Sequence, residues 1–336
     1  MTSRRAKRKS NPPRTQGRGK KGAQASNAKT PPAPPRVVVG VGFATVDLLF
    51  VTPHREERLI DALVFSMQAG GSASNMLAAL AVMRQRTRYF GRLGDDVHGQ
   101  FIERSMHDLR VDTSMLFLEK DRVSPVSVLQ IDEQTRRRKI LRSRGNVTPL
   151  LPRDLPPQLL HDAAMLLIDG SEPALQAAIA EKARGKGIPV LLNASQLSGG
   201  MGELLSLADI VIAAERFAHE IAPSDNMSDS LREILNLGPR IAVITMGESG
   251  AVGLEGNKLV EQEALDVSVV DTSGAGDVFA GAFAFTQLQG WPLEKAVPFA
   301  NAAAGLVCRN VGSRSALPTV EEVTRAMNGV EPGPAA

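Results

Sequence analysis

From residue 37 onward the chain is built from short apolar runs, each followed at a distance by a segment of helical periodicity. Val37-Val-Val-Gly40-Val-Gly42 is the first, and it ends in glycines as a buried strand does at its turn. Ala164-Met-Leu-Leu-Ile168, Pro189-Val-Leu-Leu192, Asp209-Ile-Val-Ile-Ala213 and Ile241-Ala-Val-Ile-Thr245 repeat the pattern. Helical segments separate them, roughly at Asn75–Met83, Ala174–Arg184, Gly202–Ser206 and Met227–Leu237. A strand that is apolar on all sides must be covered on both faces. The alternation therefore predicts an α/β fold, with a central, mostly parallel sheet between helical layers.

Two stretches, about 47–69 and 125–142, break this rhythm with shorter amphipathic strands. Val126-Ser-Val-Leu-Gln-Ile131 and Arg138-Lys-Ile-Leu-Arg142 flank Asp132-Glu-Gln-Thr135, which has the composition of a hairpin turn. Together the two insertions predict a small β-sheet lid over the strand ends. Charge divides the chain differently. Residues 1–36 hold eleven Lys and Arg and no acid, which leaves 28 basic against 36 acidic residues in the remainder, a net of −8. That first segment has no large apolar side chain after Met1, so it is expected to be a disordered basic tail. Such a tail suits contact with nucleic acid or an anionic surface, or is a solvated extension. It lacks the apolar region of a secretory signal. Residues 37–328 are expected to form the folded domain, and 329–336 a frayed end. The single cysteine, Cys308, excludes an internal disulfide framework and fits a reducing compartment such as the cytoplasm. No apolar run is long enough for a membrane helix, and aromatics at 4% are too few for a base-stacking platform.

The chemistry concentrates in Asp271-Thr-Ser-Gly-Ala-Gly-Asp277. Asp266-Val-Ser-Val-Val270 before it is expected to be a strand, and Val278-Phe-Ala-Gly-Ala-Phe-Ala-Phe285 after it a buried helix. Gly274, Ala275 and Gly276 have little or no side chain, so a ligand can approach their backbone N–H groups. Those groups point out of a helix N-terminus and favour an anion. Asp277, in the first turn, is placed to accept a proton from an incoming hydroxyl. Taken alone, the stretch fits a capping Asp in an ordinary strand-to-helix turn equally well.

The loop resembles the carboxy-terminal signature of the ribokinase-like (PfkB) family of carbohydrate kinases. Gly70-Gly-Ser-Ala-Ser-Asn75 resembles the family's amino-terminal signature, and Phe90-Gly-Arg-Leu-Gly-Asp-Asp96-Val-His-Gly99 a third block. Asn301-Ala-Ala-Ala-Gly-Leu and Gly312-Ser-Arg-Ser-Ala-Leu-Pro318 match a fourth, in family order. The resemblance implies the ribokinase-like three-layer sandwich and an ATP-dependent transfer of phosphate to a hydroxyl of a small sugar. It makes Asp277 the catalytic base and Gly274, Ala275 and Gly276 the anion hole. Asp47, Gly70, Gly71 and Asn75 would hold the sugar. Thr245, Gly247 and Gly250 in Thr245-Met-Gly-Glu-Ser-Gly250, with Asn301, would hold the nucleotide. Mg²⁺ is expected with the ATP phosphates. Asp271, Ser273, Val307, Asn310 and Gly312 stand at the positions of a monovalent cation (K⁺) site, and a homodimer through the lid is a further implication.

One departure stands out. Members commonly carry Asn-x-x-Glu after a central strand, whereas Ile212-Ala-Ala-Glu-Arg-Phe-Ala-His219 puts Ala214 and Phe217 at those positions, with Glu215 between. This, with the Gly-x-Arg that ends at Arg314, resembles sulfofructose-kinase-like members. Basic lid residues Arg138, Lys139, Arg142 and Arg144 would suit an anionic sugar if they project inward. A nucleoside kinase, gripping a base with Phe43, Phe50 or Phe65, and a non-catalytic sugar-binding regulator are the alternatives on this scaffold. A dinucleotide fold fits less well. In Gly40-Val-Gly42-Phe-Ala-Thr45 a threonine replaces the third glycine, and although Asp61 has the right spacing, Val46-Asp-Leu-Leu-Phe-Val51 is strand-like where a helix is required.

Overall fold

A computed structural model describes residues 1–2, 36–55, 57–224 and 226–330, so the expectations for the tail and for 331–336 fall almost entirely outside the described residues. Among the described residues there are thirteen strands: β1 Val37–Val41, β2 Thr45–Thr52, β3 Val64–Gly70, β4 Thr87–Gly94, β5 Asp112–Glu119, β6 Val126–Asp132, β7 Arg138–Ser143, β8 Ala163–Ile168, β9 Val190–Ala194, β10 Ile210–Ala214, β11 Ile241–Thr245, β12 Ala251–Glu255 and β13 Lys258–Gln262. The α-helices are α1 Ser72–Val82, α2 Val97–Asp108, α3 Pro173–Arg184, α4 Met201–Leu207, α5 Glu215–Ile221, α6 Met227–Asn236, α7 Ala275–Leu288, α8 Leu293–Val307 and α9 Val320–Met327.

The large sheet runs β13-β12-β11-β10-β9-β8-β1-β4-β5. From β11 to β5 every pairing is parallel, and β12 and β13 close one edge as an antiparallel hairpin. The fully apolar strands explain the order. Along β1, Val38 enters one core with Leu77, Phe279 and Phe299 of α1, α7 and α8. Val37, Val39 and Val41 point the other way, against Leu175, Leu204 and Leu231 of α3, α4 and α6. Two helical layers thus clamp one sheet.

A second sheet, β3-β2-β6-β7, stands apart from the first. Its members come from the two amphipathic insertions, with β2 parallel to β6 and the outer pairs antiparallel. The β6–β7 turn forms where the composition placed it: Asp132 accepts from Gln134 N and Thr135 N, and Arg136 takes φ of 56°.

One expected element is absent. Residues 266–270 form no strand. Val270 N and Asp271 N both donate to the carbonyl of Cys308, just past α8, so this segment is tied to a helix end instead of a sheet edge.

Candidate active site

The parallel strands of the large sheet all end on one side, and polar residues cluster at their carboxyl ends, where open α/β sheets place their ligands. A cleft of about 550 Å³ opens there, between those ends and the small sheet. Gly274 and Asp277 line one part of it, and Asp47, Gly71 and Asn75 another, so residues some 200 positions apart in sequence share one space.

Gly274 precedes α7 with φ of 75° and ψ of 0°, a left-handed turn that frees the following N–H groups to point outward. A Cβ at Gly274 would also collide with Ser313, whereas one at Gly276 would meet nothing within 4 Å. Gly274→Ala is therefore expected to destabilise the fold by about 1–3 kcal/mol and to lower turnover. Gly276→Ala should cost less, a difference thermal unfolding reads directly.

Asp277 sits in the first turn of α7, its carboxylate gripped from two sides. Asn75 Nδ2 donates to Oδ2 at 2.9 Å and Asn193 Nδ2 to Oδ1 at 3.0 Å. Burial pushes its pKa up, and the nearby charge of Asp169 adds to the shift; hydrogen bonds from Asn75, Ser72 and Asn193 oppose it. Asp47 faces it from β2. Burial raises Asp47 to about 6, against the lowering effect of Ser127 and of the Arg314 and Arg142 charges. The Asp47 carboxylate packs directly on the Cα of Gly70, leaving no room for a side chain there.

Beneath both acids lies Arg314, which donates to Asn75 Oδ1 at 3.1 Å, to Ser105 Oγ at 3.2 Å and to Ser74 Oγ. Burial lowers its pKa to about 10, although the Asp47 and Asp277 charges favour its charged form. Because Arg314 fixes the Asn75 oxygen, the Asn75 amide nitrogen is left to face Asp277. Sequence reasoning singled out Arg314 only as part of a Gly-x-Arg.

Asn193 and Asp169 were missed entirely. Each is a polar residue at the carboxyl end of an all-apolar strand, which is the signal that could have found them. Asp169 accepts from the N–H groups of Phe43, Ala73 and Ser171, from the Ser171 hydroxyl and from Gln176. It ties the loop after β1, the start of α1 and the end of β8 together.

Other expected positions fall elsewhere. Thr245, Gly247, Gly250 and Asn301 do not line this cleft. The first three form the β11–β12 turn, with Met246 N donating to the Gly250 carbonyl, and Asn301 Nδ2 donates to the Glu263 carbonyl at 2.8 Å. Asp271, Ser273 and Gly312 do meet: Oδ1 accepts from Ser273 N and Oγ, and Oδ2 from Gly312 N. Arg138 Nη1 adds a guanidinium at Ser273 Oγ, 3.0 Å away. These bonds knot the loop before α7 to the turn after α8. Asp96 caps α2 through Gly99 N and binds Ser124, away from the cleft. Phe217, at the Glu position of Asn-x-x-Glu, is fully buried in the core, while Glu215 opens α5 exposed at the end of β10.

Comparison with known proteins agrees with this architecture. The family model described as "pfkB family carbohydrate kinase" matches residues 36–320. A ribokinase from Arabidopsis thaliana is 27% identical over 312 residues, covering 88% of this chain and 81% of its own. An ATP-dependent ribose-1-phosphate kinase from Halopiger xanaduensis is 29% identical over 257 residues, covering 76% and 84%, and a 5-dehydro-2-deoxygluconokinase from Bacillus subtilis is 26% identical over 311, covering 85% and 94%. Arabidopsis thaliana ribokinase, solved with ribose and ATP, superposes with a TM-score of 0.76 at 25% identity, covering 87% of this chain and 98% of that one. A protein described as ribokinase II from E. coli, solved with ATP and Mg²⁺, shares the fold at a TM-score of 0.78 and 16% identity, covering 88% and 99%. Fold and cleft together thus define a phosphotransferase of the ribokinase type. The chain belongs to the pfkB family of carbohydrate kinases, and it is a carbohydrate kinase.

Proposed function

We propose that this enzyme moves the γ-phosphoryl group of ATP to a hydroxyl of a small sugar, with Asp277 as the base. The observation that carries the reading is the pairing of Asp277 with the open N-terminus of α7 in one cleft. The carboxylate that takes the proton stands beside the backbone donors that meet the charge of the moving phosphate. Asn75 and Asn193 hold both oxygens of Asp277, so the acceptor hydroxyl meets a fixed base. Asp47, Asn75 and the Gly70-Gly71 backbone bind the sugar's remaining hydroxyls, since a carboxylate and an amide accept and donate to neighbouring O–H groups. The turn Thr245–Gly250 and Asn301 lie on the nucleotide side.

Among the described residues no three His, Cys, Asp or Glu side chains cluster as a metal cage. Magnesium needs none when ATP phosphates and water supply most of its ligands. When bound, the ion neutralises phosphate charge. No helix among the described residues is long and apolar enough to cross a membrane, and a reducing compartment such as the cytoplasm suits the single cysteine.

Acidity tests the sugar-binding assignment. An ionised Asp47 accepts hydroxyl hydrogen bonds and a protonated one accepts fewer, so kcat/KM for the sugar should fall as pH drops through about 6. In Asp47→Asn the KM should rise about tenfold or more and lose its pH dependence near that value. A KM unchanged by Asp47→Asn would remove Asp47 from the sugar site. Folding stability responds with the opposite sign. Between 3.8 and about 6 the folded chain holds a proton that the unfolded chain has released, so the contribution of Asp47 weakens stability as pH rises through that window.

A further inference from the structure

We propose that the sugar accepted here carries an oxyanion at the end remote from the reacting hydroxyl, and that Arg142 and Arg144 bind it. The inference rests on the kinase reading of the same cleft and specifies its substrate class.

Register sets the arginines on one wall. In β7, Arg138, Ile140 and Arg142 pair with Ile131, Leu129 and Ser127 of β6, and Ser127 pairs in turn with Asp47 of β2. Side chains alternate along a strand, so Arg138 and Arg142 share the Asp47 face while Lys139 and Leu141 take the opposite one. Arg138, Ile140, Arg142 and, two residues further, Arg144 line the cleft.

The hydrogen-bond balance of that wall is uneven. Two of its carboxylates are met by protein, Asp169 by five donors and Asp277 by two amides, while burial holds the other two, Asp47 and Glu172, toward their neutral forms. The guanidiniums have no such match. Among the described residues Arg142 and Arg144 form no ion pair with a carboxylate; their charges reach Asp47 and Glu172 only across space. Arg138 is partly engaged at Ser273 Oγ, which assigns it to the phosphoryl end of the cleft. Arg142 lies 4.9 Å above the Phe43 ring centroid. Stacking of that kind leaves the in-plane N–H fork open, the geometry that clamps an oxyanion through two parallel bonds.

A neutral sugar presents hydroxyls, each donor and acceptor at once, and Asp47 with Asn75 matches them. It gives two further guanidiniums nothing to neutralise. An oxyanion accepts only, and supplies what the wall lacks. Room exists for it: a second cavity of about 400 Å³ adjoins the cleft, and Phe43, Arg144, Ser171 and Pro173 line both. A substrate longer than a bare pentose therefore extends past Phe43 toward Arg144.

Steady-state ADP release with matched acceptors tests this. Fructose is compared with fructose 6-phosphate and 6-deoxy-6-sulfofructose, ribose with its phosphates, and neutral deoxysugars with 2-keto-3-deoxygluconate. The anionic member of at least one set should exceed its neutral parent in kcat/KM by about tenfold or more, and the best of phosphate, sulfonate or carboxylate identifies the oxyanion. Arg142→Ala and Arg144→Ala should each raise KM for that anionic sugar about thirty-fold, with the KM for ATP held and a much smaller rise for the neutral parent, which in Arg142→Ala comes through the weakened ionisation of Asp47. Neutral parents preferred throughout, or equal KM increases for charged and neutral sugars, would overturn the inference and leave the kinase reading intact. ADP release with no sugar, while an anionic sugar raises Tm in wild type and not in Arg142→Ala, would overturn the kinase reading and uphold this one. Neither turnover nor a shift in Tm would overturn it.

Discussion

In Asp277→Asn, kcat with the best sugar acceptor is expected to fall about a thousandfold, within the roughly 10²- to 10⁴-fold that a positioned general base contributes. ATP affinity should hold, because Asp277 faces the acceptor and the anion-binding N–H groups of α7 are untouched. The fold should hold too. Burial raises the Asp277 pKa, so its ionised form is held against a desolvation penalty that an uncharged amide avoids. The cost on the other side is local: an Asn amide group would meet either Asn75 or Asn193, both of which donate to this position. The melting temperature is expected to be no lower than that of wild type. Because a donor clash could shift the loop, Asp277→Ala serves as a second variant. A kcat near wild type in either one would remove Asp277 from its role as base.

Arg314→Ala has the second largest expected effect, and it acts on stability and turnover together. Arg314 is a buried cation whose three side-chain donors serve Asn75, Ser74 and Ser105, and whose charge is the one common to Asp47 and Asp277. Removing one side of such a buried network costs about 3–5 kcal/mol, because it leaves the remaining charges uncompensated. For a chain of this size that corresponds to a fall in Tm of about 5–8 °C. Turnover drops for a separate reason. Without Arg314 only Ser313 Oγ, at 3.2 Å, still holds the Asn75 oxygen, so the amide is freer to turn and to withdraw one of the two amide donors from Asp277. The positive charge that favours an ionised Asp47 also goes, so the acid limb of kcat/KM should move above its wild-type position near pH 6. Arg314→Lys keeps the charge without the three-way fork: the limb should stay closer to its place while kcat remains low. A purely structural Arg314 would move Tm and leave the pH profile where it was.

Much of the fold was legible because the parallel strands β1, β8, β9, β10 and β11 are buried on both faces and so consist of little but apolar residues. No partly exposed element writes itself so plainly. β4 and β5 mix Arg, Asp and Ser with apolar residues because they close one side of the sheet, and β13 exposes Lys258 and Leu259 at the other edge. Pro298 inside α8 interrupts a helical pattern that tertiary packing nevertheless completes. The segment 266–270 failed in the other direction: its alternation suits a strand, but it pairs with no sheet, and the carbonyl of Cys308, supplied by a helix end, takes the Val270 N–H.

The site divides along the same line. The Gly70–Asn75 and Asp271–Asp277 loops were readable only together, as ordered blocks that resemble one family's signatures, and the cleft brings Asn75 and Asp277 within hydrogen-bond distance. Asn193 was not readable. A single amide at a strand end has no local signature, and only the fold aims it at Asp277. The lid arginines were ambiguous for a comparable reason: their facing depends on a register with β6 that no local pattern states, and that register turns Arg138 and Arg142 toward Asp47.

The central claim is tested most directly by following the phosphoryl group itself. Wild-type enzyme with ATP, Mg²⁺ and a responsive sugar is monitored by ³¹P NMR. The account predicts a new sugar phosphomonoester signal that grows in step with ADP, and its near absence with Asp277→Asn over the same period. ADP appearing with inorganic phosphate and no sugar phosphate, or sugar phosphate forming at the wild-type rate in Asp277→Asn, would contradict it.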